Sequence, residues 1–135
     1  TVNNLAEGKL VIADYIFEKE LIYAKRLLND QQLGLYRQLS GRLSEGVVQP
    51  VLVLFLMDSP ENCLERIKKR NRPYEKNIDI EFLEGLHEDY QLLFKGYCES
   101  PVIRVNMPDF HPANHENIEH LARQVRYYTA ASEDK

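Results

Sequence analysis

The sequence predicts an α/β fold in which a parallel sheet is flanked by helices. The apolar run "VLVLFLM" at 51–57 is typical of a strand buried on both faces of a parallel sheet, and "PVIRVN" at 101–106 is typical of another buried strand. Segments with helical spacing of apolar residues precede, separate and follow these runs. Strands that alternate with helices along a chain indicate a layered fold of this kind.

The bulk composition is that of a globular domain, with 44% hydrophobic and 28% charged residues over 135 positions. This length predicts a single domain over 1–135, with a frayed tail at 128–135. The net charge of -4 argues against a nucleic-acid partner. The longest apolar run is too short to span a bilayer and the polar start does not resemble a signal peptide, so we expect a cytoplasmic protein without a membrane partner. Cys63 and Cys98 have neither disulfide nor metal spacing, which agrees with a reducing compartment.

The first half of the chain is predicted to contain one strand and a pair of helices. The predicted elements are a strand at 9–14 and helices at 17–28 and 30–44. Between the helices, Asn29 with Gln32 three residues later has the pattern of an N-cap with a capping box. The apolar stripes of the two helices suit either a core or a dimer face.

The second half is predicted to alternate strands with helices around a basic turn. The predicted elements are strands at 51–57 and 101–106 and helices at 60–70, 78–97 and 118–128. Ser59, Pro60 and Glu61 predict a helix start, as N-cap, first helical residue and first-turn acid. The histidines are expected to lie in exposed loops and helices and to form no metal site: His87, His111, His115 and His120.

Polar residues directly follow three of the apolar runs. In open parallel sheets, ligands bind at the carboxyl ends of the strands. This rule makes Asp14, Asp58 and Asn106 candidate site residues. The alternative, that polar residues simply end strands, stays open for each of them.

The basic run "RIKKRNRPYEKNID" at 66–79 predicts an anion site. Arg66 and Arg70 are four residues apart on one helix face, and Arg72 follows a helix break at Asn71. Arginines that converge on a small volume repel each other unless an anion joins them, and guanidinium groups bind phosphate oxygens in pairs. A solvated helix face is the alternative that the spacing alone leaves open.

The stretch "LERIKKRNRPYEKNIDIEFLEGLHEDY" resembles the lid and following helix of the deoxynucleoside kinases. That family carries an R-x-x-x-R-x-R-x-x-E run, an extended turn and a helix that opens with a Y/F-L pair. The matching residues here are Arg66, Arg70, Arg72, Glu75, Phe82 and Leu83. The segments "VLVLFLMDSPENCLERI" and "VIADYIFEKELIYAKRLL" resemble neighbouring parts of the family over about 10–128, and the bacterial deoxyadenosine/deoxyguanosine kinase-like branch is the most similar. The resemblance implies a P-loop kinase-like three-layer fold, present in part.

The resemblance also implies roles for the lid residues. Arg66, Arg70 and Arg72 would act in catalysis by clamping the phosphates of the donor and the phosphoryl group in flight. Arg70 and Arg72 would bind ATP in this way. Glu75 would bind the substrate by approaching the sugar 3′-hydroxyl of a deoxynucleoside. The implied cofactors are ATP and Mg²⁺, and the implied assembly is a homodimer.

Three residues of the first half take roles from the same resemblance. Tyr23 occupies the place of an aromatic residue that packs on the base, although a core aromatic residue is the equal alternative. Lys19 falls near a position where many relatives carry an acid in the base pocket. Asp14 would replace a catalytic acid near magnesium, but the arginine that follows this acid in relatives is absent. The branch resemblance favours a purine deoxynucleoside.

The phosphate loop of the family, G-x-x-x-x-G-K-[ST], is absent from these 135 residues, as is the carboxylate that serves as general base. We therefore expect the C-terminal part of a deoxynucleoside kinase domain, inactive by itself. A kinase for a nucleoside monophosphate or another small molecule is one alternative. A non-catalytic pairing or regulatory module of kinase fold, or a fusion domain, is another.

Overall fold

The computed structural model describes residues 11–133, and the chain divides into two compact units, residues 1–50 and 51–135. The first unit contains helices α1 (Glu18–Leu27) and α2 (Asp30–Leu43). The second contains β1 (Val53–Met57), α3 (Pro60–Arg70), a 3-10 helix (Pro73–Glu75), α4 (Ile80–Gly96), β2 (Val102–Asn106) and α5 (His115–Glu133). That the whole chain forms a single domain stays a prediction.

The helix pair of the first unit is organised by its capping box. The Asn29 Oδ1 accepts a hydrogen bond from the Gln32 N–H at 2.9 Å, and the Gln32 Oε1 accepts one from the Asn29 N–H at 3.1 Å. Leu28 is extended, with φ −101° and ψ 144°, so α1 ends where the capping box starts α2. Both helices and their boundary were predicted from the sequence, and both are confirmed.

The strand predicted at 9–14 is wrong for residues 11–14, which lie in neither strand nor helix. Residues 9 and 10 lie outside the described part of the chain. Val11 and Ile12 are 48% and 93% exposed. An apolar run becomes a strand only where neighbouring backbone satisfies its N–H and C=O groups, and the run itself does not specify that neighbour. The expected position of Asp14 at the end of a strand is therefore also wrong.

The second unit is built on a parallel pair of strands, as predicted. Residues pair in register from Val53 with Val102 to Met57 with Asn106. Helix α4 packs on one face of the pair, where the Phe55 ring lies 4.3 Å from the Phe94 ring between centroids. The structure is therefore an α/β arrangement with a parallel two-stranded sheet flanked by helices, consistent with part of a P-loop kinase-like fold.

The opposite face of this sheet is only partly covered. Ile103 and Val105 on β2 are each 7% exposed, whereas Leu54 and Leu56 on β1 are 41% and 58% exposed. The prediction that β1 is buried on both faces is thus wrong. A continuous apolar run indicates that both faces can be covered, but the covering layer comes from other parts of a fold.

The start predicted for α3 is confirmed, whereas α4 and α5 start at Ile80 and His115 and not at the predicted positions 78 and 118. The Ser59 Oγ accepts a hydrogen bond from the Asn62 N–H at 3.2 Å, with Pro60 as the first residue of α3. Helix α5 starts at His115, where the Asn114 Oδ1 accepts from the Glu116 N–H at 2.9 Å. It continues to Glu133, so residues 128–133, which we expected to fray, are helical. Within the described residues, no helix has the length and apolar character needed to cross a membrane.

Candidate active site

The basic run is shaped by a left-handed residue at the end of α3. Asn71 has φ 49° and ψ 45°, and its N–H donates to the Ile67 carbonyl at 3.1 Å. Asparagine tolerates this conformation better than most residues. Arg72 is then extended, and Pro73 begins a single 3-10 turn that ends at Glu75. The break therefore turns the chain so that Glu75 can face the last turn of α3.

Arg70, Arg72 and Glu75 form a group that we call the lid cluster. The Arg70 Nη2 and Nε donate to the two oxygens of the Glu75 carboxylate at 2.7 and 3.1 Å. The Arg72 Nη1 lies 4.0 Å from Glu75 Oε1 and donates to the Tyr74 hydroxyl at 3.0 Å. The Glu75 side chain is 11% exposed, against 47% for Arg70 and 50% for Arg72. Two of the predicted arginines thus converge on an oxyanion, which is a carboxylate of the chain itself.

Arg66 has a different carboxylate partner, and we call Asp58 and Arg66 the strand-end pair. Asp58 directly follows β1, and its Oδ2 lies 2.6 Å from the Arg66 Nη1. Its Oδ1 accepts hydrogen bonds from the Ser59 N–H at 2.7 Å and from the Asn62 Nδ2 at 2.8 Å. These contacts, with Asn62 contributing most, lower the pKa of Asp58 although burial acts to raise it. Asp58 in turn raises the pKa of Arg66.

One arginine of the strand-end pair and one of the lid cluster lie along the same groove of the second unit. Arg66 and Arg70 line this groove together with Cys63, Ile67 and Lys69. The spacing of the arginines along the chain predicted an added anion between them. In the structure Asp58, just before α3, already supplies a compensating charge to Arg66, and the turn after α3 brings Glu75 to Arg70 and Arg72.

Sequence reasoning recognised Asp58 as a strand-end residue but missed its partner. A usable signal was present, since Asp58 stands eight residues before Arg66. Eight residues span about two turns of α-helix, and helical side chains lean toward the N-terminus. An acid just before an N-cap is therefore within reach of an arginine two turns into the helix.

Asn106 lies at the carboxyl edge of the sheet, as we predicted from its position at the end of an apolar run. The register sets Asn106 beside Met57. Its Nδ2 donates to the Asp109 carboxylate, so its side chain is engaged in the following loop. No group of three or more histidine, cysteine or acidic residues that could hold a metal occurs in the described range 11–133.

In the first unit, the structure brings together two of the predicted substrate residues. The Lys19 Nζ lies 6.0 Å from the centroid of the Tyr23 ring, at the outer limit of a cation–π contact. Asp14 is exposed on the segment before α1. Burial, followed by the charge of Glu20, raises the pKa of Tyr36, which lies on α2. The substrate roles of Lys19 and Tyr23 stay predictions.

Comparison with known families agrees with the lid motif. The family model described as deoxynucleoside kinase matches residues 3–129. The chain belongs to the deoxynucleoside kinase family. The resemblance inferred from the lid is therefore confirmed.

Individual deoxynucleoside kinases match parts of the chain. It is 37% identical to a deoxyguanosine kinase of Bacillus subtilis, over 71% of the chain and 46% of that protein. It is 34% identical to a deoxyadenosine kinase of Dictyostelium discoideum, over 77% of the chain and 42% of that protein. It is 32% identical to mitochondrial thymidine kinase 2 of Homo sapiens, over 68% of the chain and 35% of that protein. The chain spans less than half the length of these curated relatives, and their names refer to three different nucleosides.

Proposed function

We propose that the protein transfers a phosphoryl group from ATP to the 5′-hydroxyl of a 2′-deoxynucleoside in nucleotide salvage, with a purine favoured. The observation that carries this proposal is the convergence of Arg70 and Arg72 on the Glu75 carboxylate. Arg70 binds that carboxylate through two nitrogens, and the same fork geometry suits two oxygens of a phosphate. The family supports the reaction, and the curated names support a deoxynucleoside acceptor.

The lid cluster would act by exchanging one anion for another. When phosphate reaches Arg70 and Arg72, it takes the place of the Glu75 carboxylate. Fixed guanidinium groups then neutralise charge that develops during transfer. Glu75, released from the arginines, becomes free to accept a hydrogen bond from the sugar 3′-hydroxyl. Closure of the lid over the phosphates would exclude water from the reaction.

Mg²⁺ belongs to this proposal because, when bound, it would neutralise charge on the donor phosphates. The described residues contain no group of three possible ligands, and Asp58 is engaged by Arg66. Asp14, which the family resemblance places near magnesium, is exposed on the segment before α1. The general base and the phosphate loop are assigned to no residue of these 135.

A panel of acceptors tests the proposal. Protein purified from the native gene is incubated with ATP, Mg²⁺ and each of the four common deoxynucleosides, and products are separated by ion-exchange chromatography. We expect 5′-monophosphates, with deoxyadenosine and deoxyguanosine converted fastest. Product from deoxynucleoside monophosphates but not from deoxynucleosides would favour the alternative kinase. Absence of any product would favour a non-catalytic module.

We also propose a cytoplasmic homodimer that pairs through the first unit. Exposed leucines of the two helices support this: Leu21, Leu27, Leu35, Leu39 and Leu43 are 37%, 65%, 59%, 53% and 70% exposed. Leu35, Leu39 and Leu43 recur every four residues and lie along one side of α2. An apolar stripe of this kind is typical of a surface covered by a partner.

A charge placed in the stripe tests the dimer. Leu39→Glu should halve the mass measured by light scattering after gel filtration. Dimer formation would bury an unpaired carboxylate in the interface, and the cost of that burial favours the monomer. Gln38→Glu adds the same charge at a neighbouring exposed position and should leave the mass unchanged. A wild-type protein of monomer mass would contradict the proposal.

A further inference from the structure

We propose that Asp58 is a positioning residue, whose carboxylate fixes the guanidinium of Arg66 at the carboxyl end of β1. The inference rests on the proposed function, in which Arg66 binds a phosphate of the donor. It adds to that function a residue that contacts no substrate and acts through Arg66.

The Asp58 carboxylate is itself fixed before it meets the arginine. Its side chain is 6% exposed and it directly follows the last residue of β1. The Ser59 N–H and the Asn62 amide hold Oδ1 at 2.7 and 2.8 Å. Two donors on one oxygen determine the plane of the carboxylate, and Oδ2 is left to face Arg66 at 2.6 Å.

Arg66 is held at one edge and open at the other. Its Nη1 contacts Asp58, and its Nη2 lies 3.5 Å from the Cys63 sulfur. A guanidinium has five N–H donors, so these contacts leave donors available. The Arg66 side chain is 58% exposed and lines the same groove as Arg70. An oxyanion in this groove can therefore bind Arg66 without displacing Asp58.

Two physical effects predict opposite changes in anion affinity when the Asp58 carboxylate is removed. If the carboxylate only competed with phosphate for Arg66, its removal would strengthen anion binding. If it positions Arg66, its removal frees a long side chain that phosphate must then immobilise, and binding weakens. The structure favours the positioning effect. The Asp58 carboxylate is buried and accepts hydrogen bonds from Ser59 and Asn62, so it is held in place independently of Arg66.

A double-mutant cycle tests the inference on the protein from the native gene. Affinity for inorganic triphosphate is measured by calorimetry for wild type, Asp58→Ala, Arg66→Ala and the double variant, and kcat is measured on the preferred deoxynucleoside. We expect Asp58→Ala to weaken triphosphate binding by about three- to tenfold, as for one freed side chain. In the Arg66→Ala background the same change should have almost no effect, because the two residues act as a unit.

Ser59→Ala is the matched structural control. It removes the N-cap of the same helix while keeping the backbone N–H that holds Asp58. It should lower the melting temperature but leave the triphosphate affinity within about twofold. A loss of affinity equal to that of Asp58→Ala would show that helix stability is responsible and would overturn the inference.

The remaining outcomes separate the inference from the proposed function. Tighter binding in Asp58→Ala, equal effects in both Arg66 backgrounds, or no triphosphate binding by wild type would overturn the positioning role. Absence of deoxynucleoside phosphorylation together with a non-additive cycle would refute the proposed function and support the positioning role.

Discussion

The strand-end pair and the lid cluster use the same chemistry in two different structural settings. In the strand-end pair, the carboxylate of Asp58 is 6% exposed and held by two donors besides the arginine. In the lid cluster, Glu75 lies in a single 3-10 turn and faces Arg70 at the end of α3 and Arg72 just after it. The first arrangement suits a permanent anchor, and the second suits an ion pair that a phosphate can replace. Arg66 and Arg70, one from each group, line the same groove.

The largest effect is expected for the arginine at the centre of the lid cluster. Arg70→Ala should lower kcat by about 10³-fold, since an arginine that neutralises the transferring phosphoryl group can contribute this much. Arg70→Lys should recover only part of the loss because lysine lacks the fork geometry. Steady-state kinetics on the preferred deoxynucleoside measures both.

Lys69→Ala is the control for local positive charge, because Lys69 lines the same groove beside Arg70. We expect a change of at most about threefold for an exposed charge of this kind. Equal losses for Lys69→Ala and Arg70→Ala would mean that the groove acts through its overall charge, and the lid cluster would lose its special role.

The next largest effect is expected for Glu75, the carboxylate that Arg70 and Arg72 contact. Glu75→Gln should strengthen binding of inorganic triphosphate by about fivefold, because a competitor worth roughly 1 kcal/mol is removed. The same change should lower kcat/KM for the deoxynucleoside by about 10–100-fold, as for a lost charged hydrogen bond. Calorimetry and steady-state kinetics measure the two quantities.

Glu81→Gln removes an exposed carboxylate from the start of α4 and serves as the control. It should change neither the triphosphate affinity nor kcat/KM for the deoxynucleoside by more than about twofold. An unchanged triphosphate affinity in Glu75→Gln would refute the exchange of anions. Equal losses for ATP and deoxynucleoside would refute the sugar contact.

A smaller effect is expected on stability in acid. The pKa of Asp58 lies below its ordinary value of 3.8, so the folded state favours the ionised form. The resulting stabilisation is complete above 3.8 and is lost as pH falls through the lower folded value. Asp58→Asn should therefore lower the free energy of unfolding by about 1–2 kcal/mol at neutral pH. The difference in free energy of unfolding between Asp58→Asn and wild type should become smaller in acid.

Urea unfolding of both proteins at neutral pH and in acid below 3.8 measures this difference. A difference of the same size at every pH would mean that the contribution of Asp58 does not depend on its charge. The strand-end pair would then be no more than a packing contact.

The smallest effect is expected at the helix break inside the lid cluster, at Asn71 between Arg70 and Arg72. Asn71→Ala should destabilise the second unit by about 1 kcal/mol, since alanine is strained at φ 49°. Asn71→Gly should change stability by less than about 0.5 kcal/mol, because glycine adopts this conformation freely. Thermal unfolding compares the two variants. Equal destabilisation by alanine and glycine would attribute the effect to the asparagine side chain and not to the backbone.

Predictions from the sequence succeeded where neighbouring residues decide the structure. The capping box of Asn29 and Gln32 and the start of α3 at Ser59 each depend on residues within one helical turn. The lid motif likewise identified Arg70, Arg72 and Glu75, which the structure brings together. The strand predicted at 9–14 is absent at residues 11–14, because the apolar run does not specify the neighbouring backbone with which a strand must pair.

The sequence by itself determined the order of helices and strands in the second unit, the parallel class of its sheet, the helix break at Asn71 and the family. These follow from periodicity, capping residues and a motif, all of which act over short separations. Only the tertiary structure decided that Glu75 already neutralises the lid, and that Leu54 and Leu56 are exposed on β1. These outcomes depend on where the chain turns and on which layers cover the sheet, and such information lies outside the segments concerned.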